Sequence, residues 1–354
     1  MKSPTKLRAG IIGLALTFYL LLQLLAQFPE FVEQYYSNGL YPFLTLWMSN
    51  FSGQFYFSVT EFTLWGIILF GIPFVIHRIR KKRMHITRLL LNLMTMIAVI
   101  YVWFYLFWGI NYFRQPLKAK LNLENVQLPM DAFDSTFVDI IKQCNNLNLT
   151  YSIDDVNEIN AEIDSSYDAI LEKLQLKNIP GFKGLKSFVV NWLLNKTTTS
   201  GWFSPLFHEV HYNTDLLIFE LPFGIAHEKA HQMGYTSEAE ANFLAYLVCT
   251  NSGDRLCQYS GYFNVLRHFF ATIKDDSSKK EYFKASLNSG VKFNLNEVRE
   301  RWESHQGWIS RLSRRGYDLY LKSNNVKEGV ANYSLVVDYI VRFNEQKELK
   351  FGWK

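Results

Sequence analysis

The sequence predicts a predominantly α-helical membrane protein in which three N-terminal transmembrane helices precede a mostly helical polar domain with a small β element. Three long apolar runs lie within the first 110 of its 354 residues. The polar remainder shows helical periodicity, interrupted by short segments rich in Gly, Pro and Ser. We therefore expect a membrane domain over residues 1–113 and a second domain over residues 114–354.

The three apolar runs are each long enough to cross a lipid bilayer. They cover about residues 9–28, 55–76 and 89–110, and Glu61 is their only charged side chain. A helix rises about 1.5 Å per residue, so 20 residues match a hydrocarbon core about 30 Å thick. The first run lacks a small-x-small cleavage site, and we interpret it as a retained helix and not as a signal peptide.

Basic residues predict how these helices are oriented. Residues 29–54 contain no Lys or Arg, whereas the connection between the second and third runs is strongly basic. Its basic residues are Arg78, Arg80, Lys81, Lys82, Arg83 and Arg88. Cytoplasmic loops are enriched in Lys and Arg, so we expect a cytoplasmic (inner) membrane protein with a cytoplasmic N-terminus and an extracytoplasmic, periplasm-facing C-terminal domain. The net charge of +5 then reflects membrane topology, and no nucleic-acid partner is expected.

The segment GIAHEKAHQMGYTSEAEAN, residues 224–242, gives the strongest chemical signal. His227 and His231 are four residues apart, so on a helix spanning residues 221–233 both imidazoles lie on one face and can reach one metal ion. Glu228 lies about 100° further round the helix, within reach of a water on that ion. This is the H-E-x-x-H pattern of zinc hydrolases, in which the glutamate is the catalytic general base.

A third metal ligand is expected downstream, after the chain turns at Gly234. Ser237 and Glu240 have capping-box spacing, which predicts a new helix starting at Ser237 with Glu238 in its first turn. We predict Glu238 as the third ligand and Asn242 as a hydrogen-bond partner of a ligand histidine. Glu240 is the alternative third ligand. Two histidines and one glutamate suit one Zn²⁺ per chain.

Other polar side chains are candidates for the substrate cleft or for stabilising an oxyanion. Glu209 and His211 lie on a predicted strand upstream of the motif, and an edge strand beside such a helix can pair with an extended substrate. Tyrosine hydroxyls can donate to developing negative charge. We name Tyr262 from a set of four eligible tyrosines, which are Tyr259, Tyr262, Tyr317 and Tyr333.

The three cysteines form no CxxC pair and no disulfide framework. Cys249 and Cys257 either form one disulfide or remain free thiols. Cys249 follows the apolar segment FLAYLV, which is typical of a buried helix position for a free thiol.

The motif HEKAH followed by E-x-x-A-N resembles the gluzincin branch of zinc metallopeptidases, which implies a zincin-like fold for the second domain. Over most of its length the chain also resembles an uncharacterised bacterial membrane family, domain of unknown function 3810. That resemblance is carried by SGWFSPLFHEVHYNTD, LPFGIAHEKAHQMGYTSEAEANFLAYLVC, YSGYFNVLR and YDLYLKSNNVKEGVANYSLVVDYI. Members usually have an apolar residue where this chain has Lys229, a difference that leaves the expected ligands in place.

These features predict a membrane-anchored zinc metallopeptidase that hydrolyses protein or peptide substrates in the cell envelope. A non-catalytic, zinc-stapled envelope binding or scaffold protein is one alternative, and a hydrolase of cell-wall amide bonds is another. Glu228 separates catalysis from scaffolding, because only catalysis requires a carboxylate at a position that binds no metal. In every case the lipid bilayer is an expected partner.

Overall fold

The computed structural model describes residues 4–81, 85–148, 155–324 and 335–351. Within these ranges the chain is mostly helical, with a small three-stranded sheet. It divides into two compact units. The first comprises Met1–Gln115, Pro180–Phe182 and Ser204–Glu209, and the second comprises Pro116–Ile179, Lys183–Phe203 and Val210–Lys354. The sequence predictions that fall on Lys82, Arg83 and Tyr333 lie outside the described residues.

The first unit consists of helices, several of which are continuous with one another. Its α-helices are α1 (Pro4–Leu25), α2 (Pro29–Phe31), α3 (Tyr41–Gly53), α4 (Val59–Gly66), α5 (Ile72–Arg80) and α6 (Ile86–Phe107). π-Helical segments at Val32–Leu40 and Ile67–Gly71 join neighbouring α-helices, and a 3₁₀ turn at Gly109–Phe113 follows α6.

Three helices in this unit are long and apolar enough to cross a membrane, which confirms that part of the sequence prediction. They cover Lys6–Leu25, Val59–Arg80 and Ile86–Phe107, with mean hydropathy of 1.7, 1.9 and 2.1. The second is built from α4, a π-helical segment and α5. Most of its apolar side chains, including Phe70 at 76% exposed, point away from the protein, as expected for side chains that contact lipid.

The segment between the first two spans is helical, although its sequence reads as a connection. It is fixed to the end of α6 by buried polar contacts. The Tyr36 hydroxyl donates to the Leu106 carbonyl at 2.9 Å. Arg114 forms a buried two-point ion pair with Glu33, with N–O distances of 2.8 and 2.9 Å. Bidentate Arg–carboxylate pairs fix geometry as well as charge, so these contacts order the segment.

Glu209 caps the start of α4. Its carboxylate accepts hydrogen bonds from the backbone N–H groups of Val59 and Thr60, both at 2.9 Å, and from the Thr60 hydroxyl at 2.6 Å. Ser58 adds a longer contact at 3.3 Å. The first N–H groups of a helix have no partner within it, and a negative charge there also interacts favourably with the helix dipole. Glu209 therefore sets where the second span begins.

The second unit is a helical bundle with the small sheet at its side. Its helices are α7 (Leu117–Lys120), α8 (Ala132–Leu147), α9 (Val156–Lys173), α10 (Trp192–Thr197), α11 (Leu221–Gln232), α12 (Glu238–Thr250), α13 (Arg255–Thr272), α14 (Ser277–Ala285), α15 (Ser289–His305), α16 (Trp308–Ser323) and α17 (Val336–Phe351). The strands are β1 (Leu185–Lys186), β2 (Gly201–Ser204) and β3 (Glu209–Tyr212), in the order β1-β3-β2. β1 and β3 are parallel, with Leu185 opposite Val210.

Helices α11 and α12 form the centre of this bundle. They pack against each other and against α13, while α9 contacts both and α17 covers α12. Pro222 lies in the first turn of α11, where its missing N–H has no helical partner to lose. All residues of α11 from Pro222 onward are buried, and so are all residues of α12 through Cys249. A helix buried on every side can keep polar side chains only if each has a partner.

Cys144, Cys249 and Cys257 are all buried free thiols, so the free-thiol alternative describes the structure. Burial raises the pKa of the Cys249 thiol well above its usual value. Because the thiolate is the reactive form, these cysteines serve as small apolar core residues.

We expect Glu209→Ala to destabilise the protein, because it leaves the donors of Val59 and Thr60 buried without an acceptor. Loss of a charged cap of this kind should cost about 2–3 kcal/mol. The thermal midpoint of the detergent-purified protein measures the effect. Glu30→Ala, which removes an exposed glutamate, is the matched control and should melt like the wild type. Equal midpoints for both variants would contradict the capping role.

Candidate metal centre

Helix α11 ends in a glycine turn that redirects the chain toward α12. Gly234 has a φ of +83°. Its N–H donates to the His231 carbonyl and the Tyr235 N–H donates to the Ala230 carbonyl, both at 3.0 Å. This pair of bonds is the Schellman motif, which favours glycine because the left-handed conformation is costly for residues with a Cβ. The predicted turn at Gly234 is confirmed.

Hydrogen bonds to the turn and to α12 orient the two histidine rings. The His231 Nδ1–H donates to the Tyr235 carbonyl at 2.7 Å, and the His227 Nδ1–H donates to Asn242 Oδ1 at 2.8 Å. With each Nδ1 bound to an acceptor, each Nε2 is the ring atom left to hold a proton or a metal ion. The two Nε2 atoms lie 3.2 Å apart.

Glu238 brings a carboxylate to the same point. It is the first residue of α12, preceded by Ser237 at the N-cap. Its Oε2 lies 3.1 Å from His227 Nε2, and its Oε1 lies 3.7 Å from His231 Nε2. Oε2 is buried and has no hydrogen-bond donor. Within the described residues, His227, His231 and Glu238 thus form a group whose ligand atoms all lie within 4.8 Å of one another.

This group fits a zinc ion in both donor type and arrangement. Two imidazole nitrogens and one carboxylate are a common ligand set of catalytic zinc, whose fourth position is in general taken by water or substrate. Hydrogen bonds from the far Nδ1–H groups to oxygen acceptors are typical of histidine ligands. A carboxylate oxygen that is buried without a donor is costly unless a cation satisfies it.

Without a metal ion, a proton has to offset the repulsion between the lone pairs of the histidine nitrogens and of the Glu238 carboxylate. Burial disfavours the charged form of His231, but the Glu238 and Glu228 carboxylates and the Tyr235 carbonyl together outweigh that effect and raise the pKa of His231 to about 9. Burial would likewise raise the pKa of Glu238, but His231 and His227 hold it well below its usual range. The metal-free pair is therefore an imidazolium beside a carboxylate. A metal ion must displace this proton in order to bind.

Glu228 is buried between α11 and the sheet. Burial raises the pKa of its carboxyl, while the neighbouring His227 and His231 lower it less. Its Oε2 accepts a hydrogen bond from the Phe203 N–H of β2 at 2.7 Å. A Cβ at Gly201 would lie 2.6 Å from the Glu228 Cγ, so only glycine permits this close approach of β2 to α11.

Glu240, the alternative third ligand, is engaged elsewhere. Its Oε1 accepts hydrogen bonds from the Leu117 N–H at 2.6 Å and from the Tyr339 hydroxyl at 3.2 Å. Ser237 makes no side-chain cap hydrogen bond, so the expected capping box is wrong. Glu240 instead connects α12 to α7 and α17, and it does not belong to the group around His227.

The three residues proposed for a cleft or an oxyanion contact have other neighbours. Glu209 and His211 lie on β3, the central strand of the sheet, so the expectation of an edge strand is wrong. The carboxylate of Glu209 caps α4. The His211 ring stacks on Phe188, with ring centroids 4.2 Å apart, and its Nδ1 lies 3.1 Å from the Trp202 carbonyl. Tyr262 packs edge-to-face on the Tyr246 ring. Burial raises the pKa of Tyr262 to about 12.

Tyr317, which the sequence does not distinguish from the other tyrosines, contacts the group formed by His227, His231 and Glu238. Its hydroxyl donates to Glu238 Oε1. Tyr259, by contrast, uses its hydroxyl to accept hydrogen bonds from Asn148 and Asn294. The sequence offers no signal for the choice, because Tyr317 and Glu238 are 79 residues apart.

Buried ion pairs fix α11 on its other sides. Lys229 is fully buried, and its Nζ donates to Asp164 Oδ1 at 2.5 Å and to the Lys183 carbonyl at 2.7 Å. As expected from its position on the helix, it points to a different side from the histidines.

At the start of α11, Glu220 pairs with Arg301 at 2.7 Å and with Arg267 at 3.6 Å. The sequence contains no signal for these ion-pair partners of Lys229 and Glu220, which are Asp164, Arg267 and Arg301.

The chain matches a protein family over residues 36–341, described as "Protein of unknown function (DUF3810)". The chain belongs to this family. No curated protein and no solved structure matches it. Membership in the DUF3810 family confirms the resemblance noted in the sequence.

We expect zinc binding to release a proton below about pH 9. The raised pKa of His231 stabilises the metal-free fold fully below about pH 6.5, and this stabilisation is lost as the pH rises through about 9. Zinc affinity should therefore fall about tenfold for each pH unit below 9 and level off above it. Calorimetric titration in buffers of different ionisation enthalpy measures the proton count. Affinity that is independent of pH between 6 and 8 would contradict this description.

Asn242→Ala should weaken zinc binding without removing a ligand. Loss of the acceptor at His227 Nδ1 frees the ring to rotate, and changes of this kind typically cost 10–100-fold in metal affinity. Competition with a chromogenic chelator measures the change. Asn251→Ala, at the far end of the same helix, is the matched control. Equal affinities in the two variants would show that Asn242 does not orient the ligand.

Proposed function

We propose that this protein is a membrane-anchored zinc metallopeptidase with a zincin-like second unit. One observation carries the proposal: His227, His231 and Glu238 converge, and Glu228 lies beside them on the same helix without belonging to the ligand group. A structural zinc site is usually closed by four protein ligands, whereas a catalytic one has three and keeps a position open.

The zinc ion would lower the pKa of a water and polarise the carbonyl of the scissile bond. Glu228 would serve as the general base, accepting a proton from the attacking water and delivering it to the leaving amine. Its burial keeps the carboxylate apart from bulk water, so the proton it accepts can pass to the amine and is not lost to solvent. The Phe203 N–H fixes Oε2, so the carboxylate keeps one orientation while Oε1 exchanges the proton.

The remaining residues position these groups. Asn242 and the Tyr235 carbonyl hold the histidine rings, and Tyr317 holds Glu238. Each acts through a ligand, so each is a positioning residue whose loss should appear first in metal affinity.

The substrate class follows from the chemistry and the membrane anchor. A carboxylate base beside a three-ligand zinc suits hydrolysis of amide bonds in proteins, peptides or cell-wall peptides. The distribution of Lys and Arg favours a cytoplasmic N-terminus, so the second unit would act on the extracytoplasmic side of the inner membrane. Protein or peptide substrates of the envelope are therefore the first to test.

The test compares wild type with Glu228→Gln, reconstituted with equal zinc, on a mixed peptide library read by mass spectrometry. We expect cleavage by the wild type and a loss of at least a hundredfold in the variant, because glutamine cannot accept the proton. Glu240→Gln is the matched control: it changes a carboxylate of the neighbouring helix that lies outside the ligand group. Equal cleavage by wild type and Glu228→Gln would contradict the mechanism. A zinc-loaded wild type inactive on the peptides and on cell-wall fragments would favour the scaffold alternative.

A further inference from the structure

Helix α16 carries an apolar stripe on its outward side. Trp308, Leu312 and Leu319 are 69%, 62% and 69% exposed. At about 100° per residue, the three positions lie within about 40° of one another around the helix axis. The opposite side is directed into the protein: Ser310 and Leu321 are buried there. A surface helix of a globular protein normally has the reverse arrangement, with the apolar stripe inward.

Basic residues border this stripe. Arg311, Arg315 and Lys322 are exposed and lie on one flank of it, by the same helical spacing. Arg314 is also exposed. Asp318, the one acidic residue of the helix, lies on the same flank and pairs with Lys322 at 2.6 Å, which leaves the arginines as the excess charge. The outward side of α16 therefore combines large apolar side chains with a clear excess of positive charge.

This combination fits a lipid surface better than water. Helices that lie in the plane of a membrane interface place Trp and Leu among the acyl chains and Lys or Arg at anionic headgroups. The chain itself has three helices able to span a membrane, so the second unit is tethered to a bilayer by its own sequence. Tethering makes a weak interfacial contact effective, because the local concentration of lipid is high.

We propose that the outward side of α16 lies in the headgroup region of a bilayer containing anionic lipid. Trp308, Leu312 and Leu319 insert below the headgroups, while Arg311 and Arg315 contact their negative charges. The contact depends on neither the metal nor any catalytic activity, so it stands or fails independently of the proposed function.

The experiment places a nitroxide spin label on Leu312→Cys in the full chain, reconstituted in nanodiscs with and without anionic phosphatidylglycerol. The natural cysteines are buried, so the engineered thiol is the one that reacts, and unlabelled wild type checks this. Ser304→Cys, an exposed polar position on α15, is the matched control. Collision rates with oxygen, which partitions into lipid, and with a water-soluble nickel chelate report the surroundings of each label.

We expect the label at 312 to show at least a threefold higher oxygen-to-nickel ratio than the label at 304 in anionic nanodiscs. Replacing Arg311 and Arg315 together with Gln should lower that ratio toward the control. Equal ratios at 312 and 304 would overturn the proposal. A label shielded from both reagents, with or without anionic lipid, would also overturn it and would indicate that protein covers this side of α16.

Discussion

The second unit depends on holding three electron-rich groups in contact inside the protein. His227 Nε2 lies 3.2 Å from His231 Nε2 and 3.1 Å from Glu238 Oε2. Groups that all present lone pairs repel one another at this spacing unless a proton or a metal ion lies between them. In the metal-free chain His231 holds that proton, and zinc would replace it. The free energy of metal binding is then also available to stabilise the packing of α11 against α12.

The residues around the site hold these three groups at that spacing. Gly234 turns the chain so that the Tyr235 carbonyl accepts a hydrogen bond from His231. The same turn leads into α12, which begins with Glu238. Charged side chains on the other sides of α11 also have partners of opposite charge, as Lys229 has in Asp164. A buried charge that loses its partner is strongly destabilising, so such pairs restrict how far α11 can shift. A ligand set with separations near 3 Å requires that rigidity.

Local spacing was enough to predict part of the site and not the rest. The four-residue histidine separation, the turn at Gly234 and the position of Glu238 in a first turn are all short-range features. The choice between Glu238 and Glu240 depends on contacts with Leu117 and Tyr339, which lie about a hundred residues away along the chain. In the fold, the apolar runs predicted the spans by length alone. The helical segment between the first two spans is ordered by long-range polar contacts that a pattern in one segment cannot reveal.

X-ray absorption at the zinc K edge, on the full chain loaded with one equivalent of zinc, tests the central claim most directly. The structure predicts a first shell of nitrogen and oxygen at about 2.0–2.1 Å, with multiple scattering from two imidazole rings. It also predicts that Glu238→Ala alters the shell while Glu240→Ala leaves it unchanged. A spectrum lacking imidazole scattering, or one altered by Glu240→Ala and not by Glu238→Ala, would contradict the assigned ligands and the function built on them.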